Sequence, residues 1–391
     1  MRIVHIITRL IIGGAQENTL ITCQGLAEAG HEVTLITGPA LGPEGQLFDK
    51  TIGQGYKTLI VPQMRRAVHP VRDLIAYNHI KRLLCSLRPQ IVHTHSAKAG
   101  ILGRRAAFYL RPRPVILHTI HGLPFHPYQA RWLNWFYIYL ERRAARWTDT
   151  FISVADAMTR QSMAAGIGIG RPYITVYSAI AEQGFYRQFS QEQILGFRRR
   201  YGIPEDAVVL ITVARLFMLK GHDFIISSAT DLAQRFPNVI WLFVGDGNLA
   251  DHYKAQISRL GLAHRFRFTG LLPPDQIPLA MQASDILVHC SLREGLARAI
   301  PQAMLCRRPV VAFNLDGTPE LVNQTTGRLV RPGDVQGLVA ACAELISDGQ
   351  LRQRLGQAGW ALTRERFDPG LMVRRIEAIY SQLSGGNLAC Q

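Results

Sequence analysis

A chain of 391 residues is longer than one hydrophobic core organises, and at roughly 150 residues per domain it divides into two or three. With 48% hydrophobic and 18% charged residues and no low-complexity tract, the composition excludes disorder and predicts a folded globular protein. The excess of 44 Lys and Arg over 28 Asp and Glu leaves +16, which suits polyanionic partners: nucleic acid, anionic lipid headgroups or phosphorylated small molecules.

The opening Met1-Arg2-Ile3-Val4-His5-Ile6-Ile7 reads as a buried strand over residues 2–8 rather than a secretory signal, because Arg9 interrupts the apolar run before Ile12. Leu10-Ile11-Ile12-Gly13-Gly14-Ala15-Gln16-Glu17 follows, a Gly-Gly turn that opens a helix. Gly13 and Gly14 would let backbone or substrate approach closely, and a helix start favours anions. The same turn also serves as a plain strand-to-helix junction, and it lacks the GxGxxG spacing of a dinucleotide site. Further β-branched runs at 32–37, 57–61, 90–94, 115–119 and 150–154 alternate with segments of helical period, which predicts βαβ units and a parallel sheet covered on both faces.

Three histidines, His93, His95 and His118, raise the question of a metal. No carboxylate or cysteine completes a ligand set at suitable spacing, so no metal is expected. His121, in His121-Gly122 after the strand at 115–119, stands out by its place at a strand end. Between residues 128 and 147, Trp132, Trp135, Phe136, Tyr137 and Tyr139 share one predicted helix with Arg131, Arg142, Arg143 and Arg146. A core helix with a basic outer face is the favoured reading. An interfacial membrane helix is the other, supported by Arg104, Arg105, Arg111 and Arg113 nearby in sequence.

The alternation restarts after a charged, helix-prone stretch around 191–201, with strands at 208–213, 239–244, 265–269, 286–289 and 310–313. This divides the chain into residues 1–185, 186–368 and a C-terminal helix, 369–391, whose Met372, Ile376, Ile379, Tyr380 and Leu383 fall at helical spacing and predict packing back on the first domain. Two doubly wound domains facing across a cleft would place their ligands outside the carboxyl ends of the strands. Arg215 and Lys220 leave the strand at 208–213 within five residues of each other and could converge on one diphosphate; as solvated surface charges they would do nothing. Glu294 precedes a predicted helix whose free N–H groups near Gly295, Leu296, Ala297 and Arg298 could bind phosphate oxygens. Glu294 can accept hydrogen bonds from sugar hydroxyls, and Gln302, two turns on, could reach a ribose.

Several stretches together resemble the retaining glycosyltransferases of family 4 (group 1), which have the GT-B fold and include bacterial enzymes of surface polysaccharide such as capsule or lipopolysaccharide. They are Gly13-Gly14; His93-Thr94-His95-Ser96-Ala97-Lys98-Ala99-Gly100; His118-Thr119-Ile120-His121-Gly122; Arg215 with Lys220-Gly221; Val244-Gly245-Asp246-Gly247; Phe268-Thr269-Gly270; and Glu294-Gly295-Leu296 through Gly317-Thr318-Pro319-Glu320-Leu321-Val322. They run in family order along nearly the whole chain. The resemblance implies an acceptor-binding first domain and a nucleotide-sugar-binding second domain. It implies that Arg215 and Lys220 hold the donor diphosphate, that Glu294 holds the transferred sugar and that His121 sits at the reaction centre, with retained anomeric configuration and no metal or other cofactor. It also points to a lipid-linked or glycan acceptor. One position departs from the pattern: where the family has Glu, seven residues, then Glu, Gln302 takes the second place. An amide cannot accept both ribose hydroxyls as a carboxylate does, which puts donor affinity or nucleotide choice in question.

Other readings compete less well. A nicotinamide-dependent oxidoreductase lacks its glycine fingerprint; an epimerase of the same fold would need no acceptor; a phosphorylase would need a pyridoxal-phosphate lysine that no motif identifies. A nucleic-acid-binding protein would explain the charge, but the basic residues are dispersed and form no module, so nucleic acid is not an expected partner. No run of about 18 apolar residues predicts a transmembrane helix. Cys23, Cys85, Cys290, Cys306, Cys342 and Cys390 form no CxxC and fit a reducing compartment. The expectation is a cytoplasmic enzyme with peripheral contact at the inner face of a membrane.

Overall fold

The computed structural model describes residues 1–39 and 47–388, with side chains to residue 385; Cys390 and the end of the 369–391 segment lie outside the described residues. Contacts divide the chain into two compact units, Met1–Ala179 with Asp368–Gln391, and Ile180–Phe367. The sequence reading puts these junctions at 185/186 and 368/369.

The first unit runs β1 (Arg2–Ile7), α1 (Gly14–Glu28), β2 (Glu32–Thr37), β3 (Lys57–Ile60), α2 (Pro70–Leu87), β4 (Ile91–His95), α3 (Ala97–Phe108), β5 (Val115–Ile120), α4 (Arg131–Ala145), β6 (Thr150–Ser153), α5 (Asp156–Ala164) and β7 (Tyr173–Thr175). Its strands pair in parallel in the order β3-β2-β1-β4-β5-β6-β7. The sequence reading misses β7, whose three residues behind a glycine-rich turn carry too short an apolar signal.

The second unit runs α6 (Gln191–Arg200), β8 (Val208–Val213), α7 (His222–Arg235), β9 (Val239–Val244), α8 (Ala250–Arg259), β10 (Phe266–Gly270), α9 (Ile277–Gln282), β11 (Ile286–His289), α10 (Ala299–Leu305), β12 (Val310–Phe313), β13 (Gly327–Val330), α11 (Val335–Ser347) and α12 (Gly349–Thr363). Its strand order, β10-β9-β8-β11-β12-β13, repeats the pattern of the first sheet. The start of α6 is fixed by a reciprocal cap: Gln193 N donates to Ser190 Oγ while Ser190 N donates to Gln193 Oε1.

The last helix, α13 (Pro369–Leu388), belongs to the first unit. Met372, Val373, Ile376, Ile379 and Tyr380 join Ile3, Ile7, Leu20, Cys23 and Leu26 in one core. Each such burial contributes about 1.5–3 kcal/mol. On the other face of the same sheet, Val4, Ile6, Val92 and Ile116 pack with Ala76, Ile80, Ala99 and Ala106 of α2 and α3. Both faces are thus covered, as continuous apolar strands require. In each sheet the crossovers leave in opposite directions from a central pair, β1 and β4 in one, β8 and β11 in the other. A crevice opens at such a switch point beyond the strands' carboxyl ends, which is where ligands bind in doubly wound sheets.

Candidate active site

In the second unit the loops after β8 and β11 are locked together at the switch point. The chain leaves β8 through Arg215 and turns at Leu219, φ 67°, and Gly221, φ 79°. A Cβ at Gly221 would lie 1.9 Å from the carbonyl oxygen of Cys290, so only glycine allows the start of α7 to press on the end of β11. Leu292 N then donates to Leu219 O at 2.8 Å.

This junction brings Lys220 and Glu294 together, 74 residues apart in sequence. Lys220 Nζ lies 2.5 Å from Glu294 Oε1, and the two side chains are only 22% and 24% exposed. Ser291 Oγ donates to the same carboxylate oxygen at 2.9 Å, and Glu294 N donates to Asp316 Oδ2 at 2.8 Å. Burial alone would raise the Glu294 carboxyl, but the Lys220 ammonium and the hydrogen bonds from Lys220 and Ser291 outweigh it and hold the group below its ordinary value. His289, 3.8 Å away, is pushed down to about 4, chiefly by burial, and faces the carboxylate as a neutral imidazole at neutral pH. An ionised carboxylate beside an ammonium that still has protons to donate can bind both a polyol and a phosphate.

Arg215 is placed differently. It is exposed, its guanidinium stands 5.0 Å from the ring centre of Phe217, and it forms no ion pair with the Lys220–Glu294 cluster among the described residues. The expected helix start at Gly295–Arg298 also needs correction: α10 begins at Ala299, and Gly295 and Leu296 form a bend before it, with Ala297 irregular. The reason is a bond from outside the segment. Gly317 N donates to the Gly295 carbonyl at 3.0 Å, which takes the acceptor that a helical turn from 295 would need. Gln302 lies on α10, half-buried, with no side-chain hydrogen bond among the described residues.

In the first unit, Gly13 caps α1 in extended backbone, φ 175°, and Gly14 is the first helical residue. His121 follows β5 and donates or accepts at 3.1 Å between its Nε2 and His95 Nδ1. His95 continues to His5, Nε2 to Nδ1, at 2.9 Å. His93 meets Tyr380 Oη at 2.5 Å and Thr119 Oγ1 at 2.6 Å, and Tyr380 Oη is 3.4 Å from His5 Nε2. Burial drives all these imidazoles to the neutral form, His5 and His121 down to about 3 and His93 and His95 well below the usual histidine range.

The trio considered for a metal is not the one assembled. His118 points to the opposite face, where its Nδ1 bonds Thr94 Oγ1 at 2.9 Å beside Gly100 of α3, whereas His5, His93 and His95 cluster with ligand atoms within 4.8 Å of one another. Each of their six ring nitrogens already has a hydrogen-bond partner, so no orphaned donor or acceptor calls for an ion.

The helix α4 departs from its favoured reading as a core helix. Only Glu141, Ala144 and Ala145 are buried, while Trp132 and Trp135 are 71% and 68% exposed and Phe136 and Tyr139 lie on the same outer stripe. Its fully buried positions are polar or small, and Glu141 Oε2 receives Arg104 Nη2 of α3 at 2.8 Å, an ion pair sealed from solvent. Sequence reasoning also gave no role to Ser291, His289 or Asp316. The Asp316-Gly317 turn pair was the available signal for the last, whereas the Tyr380 contact spans 287 residues and has no local signal.

The family model of glycosyltransferase family 4 matches residues 12–176, and that of the glycosyl transferases group 1 matches residues 195–361. The chain is 26% identical over 365 residues, 89% of it and 88% of the relative, to the UDP-Gal:alpha-D-GlcNAc-diphosphoundecaprenol alpha-1,3-galactosyltransferase of Escherichia coli. It is 23% identical over 320 residues, 79% of it and 83% of the relative, to the capsular polysaccharide biosynthesis glycosyltransferase CapM of Staphylococcus aureus. Its fold matches Anabaena HepE, solved in complex with UDP-glucose, with a TM-score of 0.81 at 23% identity, covering 97% of this chain and 99% of the other. No helix is long and apolar enough to cross a membrane among the described residues. With both halves matched in order and the doubly wound pair of sheets in place, the chain belongs to the GT-B glycosyltransferases of family 4, group 1.

Proposed function

We propose that this enzyme transfers a sugar from a nucleoside-diphosphate-sugar to an acceptor hydroxyl with retention of configuration and without a metal ion. The observation that carries the reading is the Lys220–Glu294 pair at the switch point of the second sheet. Lys220 has protons left for donor phosphate oxygens while Glu294 accepts from hydroxyls of the transferred sugar. Arg215 adds charge to the same diphosphate, the amides of Gly295, Leu296 and Ala297 supply donors, Gln302 meets the ribose, Gly13 and Gly14 form the loop nearest the acceptor phosphate, and His121 is a polar contact of the reacting sugar. Fixed cations and amides would stabilise the departing diphosphate as a metal otherwise does. The E. coli relative named above and the UDP-glucose complex of HepE support a uridine-diphosphate sugar as the first donor to try.

The acceptor we propose is a lipid-linked glycan intermediate at an anionic membrane surface. Trp132, Trp135, Phe136 and Tyr139 form one exposed stripe on α4, and the neighbouring Arg142, Arg143 and Arg146 are exposed as well. An amphipathic face of this kind suits a headgroup boundary.

Incubation with uridine- and guanosine-diphosphate sugars and a polyprenyl-diphosphate-linked sugar, with and without a chelator, tests the reading. Transfer that survives the chelator, with the donor's anomeric configuration kept in the product, is expected. Transfer abolished by chelation or inverted in configuration would defeat those two parts. Flotation with anionic liposomes tests the surface, and equal flotation of wild type and a Trp132→Ser, Trp135→Ser variant would remove α4 from it.

A further inference from the structure

The buried imidazoles beneath His121 form an ordered chain rather than a cluster. His5 and His93 sit in register on β1 and β4, and His95 and Thr119 in register on β4 and β5. Side chains two apart on a strand share a face, so this register stacks His5, His93, His95 and Thr119 on the face that α13 covers with Tyr380. The links run Thr119 Oγ1, His93, Tyr380 Oη, His5, His95, His121, at 2.6, 2.5, 3.4, 2.9 and 3.1 Å.

A neutral imidazole carries one proton, so a ring that accepts at one nitrogen donates at the other. Direction therefore propagates along the whole chain, and its ends decide it. Thr119 is 3% exposed and its hydroxyl has no partner other than His93 Nε2 among the described residues. A buried hydroxyl that only accepts leaves its proton unmet, which is costly, so Thr119 donates. His93 Nδ1–H then donates to Tyr380 Oη, Tyr380 donates to His5 Nε2, His5 Nδ1–H to His95 Nε2, and His95 Nδ1–H to His121 Nε2. His121 Nδ1, which has no partner among the described residues, is left holding a proton.

We propose that Thr119, His93, Tyr380, His5 and His95 are positioning residues that fix His121 as the Nδ1–H tautomer, so that it serves as a hydrogen-bond donor to substrate oxygen and not as a base. The donor role rests on the proposed placement of His121 at the reacting sugar; the tautomer does not. The alternative for this cluster, a metal held by His5, His93 and His95, would require breaking bonds that now satisfy every ring nitrogen.

The test uses the full chain labelled with 15N-histidine, whose two ring nitrogens report protonation separately. In the wild type without substrate, His121 is expected with a protonated Nδ1 and a bare Nε2. Tyr380→Phe removes the link that imposes direction on His5, and His121 should become a mixture of both tautomers while the fold holds. For an equal mixture the apparent donor affinity weakens about twofold, the fraction left competent. If Tyr380→Phe folds poorly, Thr119→Ser should keep the wild-type signature and Thr119→Val should lose it. A proton on Nε2 of His121 in the wild type, a spectrum unchanged by Tyr380→Phe, or stoichiometric metal on the purified protein would overturn the proposal. A shifted tautomer with unchanged kinetics would uphold the chain and refute only the placement of His121 at the substrate.

Discussion

The two units share a strand order and yet fill their switch points with opposite electrostatics. In the second unit the crevice holds a charged pair, Lys220 and Glu294, each about a quarter exposed. In the first it holds neutral imidazoles, and the Arg104–Glu141 pair between α3 and α4 is sealed from solvent. A partly exposed pair is poised to exchange partners with a ligand, whereas a sealed network is committed to structure. Charge changes in the first unit should therefore cost folding, and those in the second should cost catalysis.

The largest effect belongs to the first unit. Glu141→Ala leaves the Arg104 guanidinium, fully buried, without its partner, and the expected loss of stability is about 3–5 kcal/mol. Urea unfolding followed by circular dichroism checks it, and a loss below about 1 kcal/mol would show that water reaches Arg104. Next comes Glu294→Ala in the second unit, with kcat down by about 10² to 10³-fold and little change in melting temperature, since it removes the contact proposed to the reacting sugar. Lys220→Ala should instead weaken donor binding, read as a raised KM for the donor. A Glu294→Ala enzyme with wild-type turnover but poor stability would reverse the contrast between the units.

Acid should separate them as well. His5, His93, His95, His118 and His121 in the first unit, and His222 and His289 in the second, all have depressed pKa values in the folded chain, and burial is the leading cause for each. Their unfolded value is about 6.5, so below that pH the unfolded chain binds protons that the folded chain refuses, and stability falls as pH falls. Above about pH 6.5 these groups contribute no slope. Between there and the folded values, about 3 for His5 and His121 and about 4 for His222 and His289, each histidine removes up to about 1.4 kcal/mol per pH unit. Hydrogen exchange at pH 7 and pH 5 should show the amides of β1, β4 and β5 losing more protection than those of β8 and β11. Equal losses would mean that the first unit's network takes up protons without opening.

What the sequence made legible follows the range of the forces involved. Strand alternation is local and legible in the sequence, whereas the reciprocal cap of α6, though local, and the close approach at Gly221 are not read from it. Lys220 and Glu294 are each singled out by their place beside a strand or helix end and again by the family resemblance, but their pairing is not, because nothing local ties residues 74 positions apart. The helix α4 was misread because amphipathicity cannot say which face turns inward. Here a buried Arg104–Glu141 pair claims the polar side and leaves the aromatic stripe outside. The α10 start was placed early because the bond from Gly317 to the Gly295 carbonyl is a long-range competitor of the helix. The histidine chain was invisible for the same reason, since Tyr380 reaches it from the far end of the sequence.

The smallest expected effect is at Gln302, and it is the one whose sign is most informative. Its side chain, on α10, has no hydrogen bond among the described residues and is free to meet a ligand. If it meets the ribose, Gln302→Glu exchanges neutral hydrogen bonds for charge-assisted ones. The net gain is about 1 kcal/mol, which should lower the donor KM about fivefold with kcat unchanged. If the side chain faces the diphosphate instead, the added carboxylate repels it and KM rises. Donor saturation curves for the two proteins decide between these outcomes, and comparison with a purine-nucleotide donor shows whether the amide also sets the nucleotide. A raised KM would shift the charged character of the second crevice toward phosphate alone, and would leave the nucleotide's ribose to be held by a residue not yet assigned.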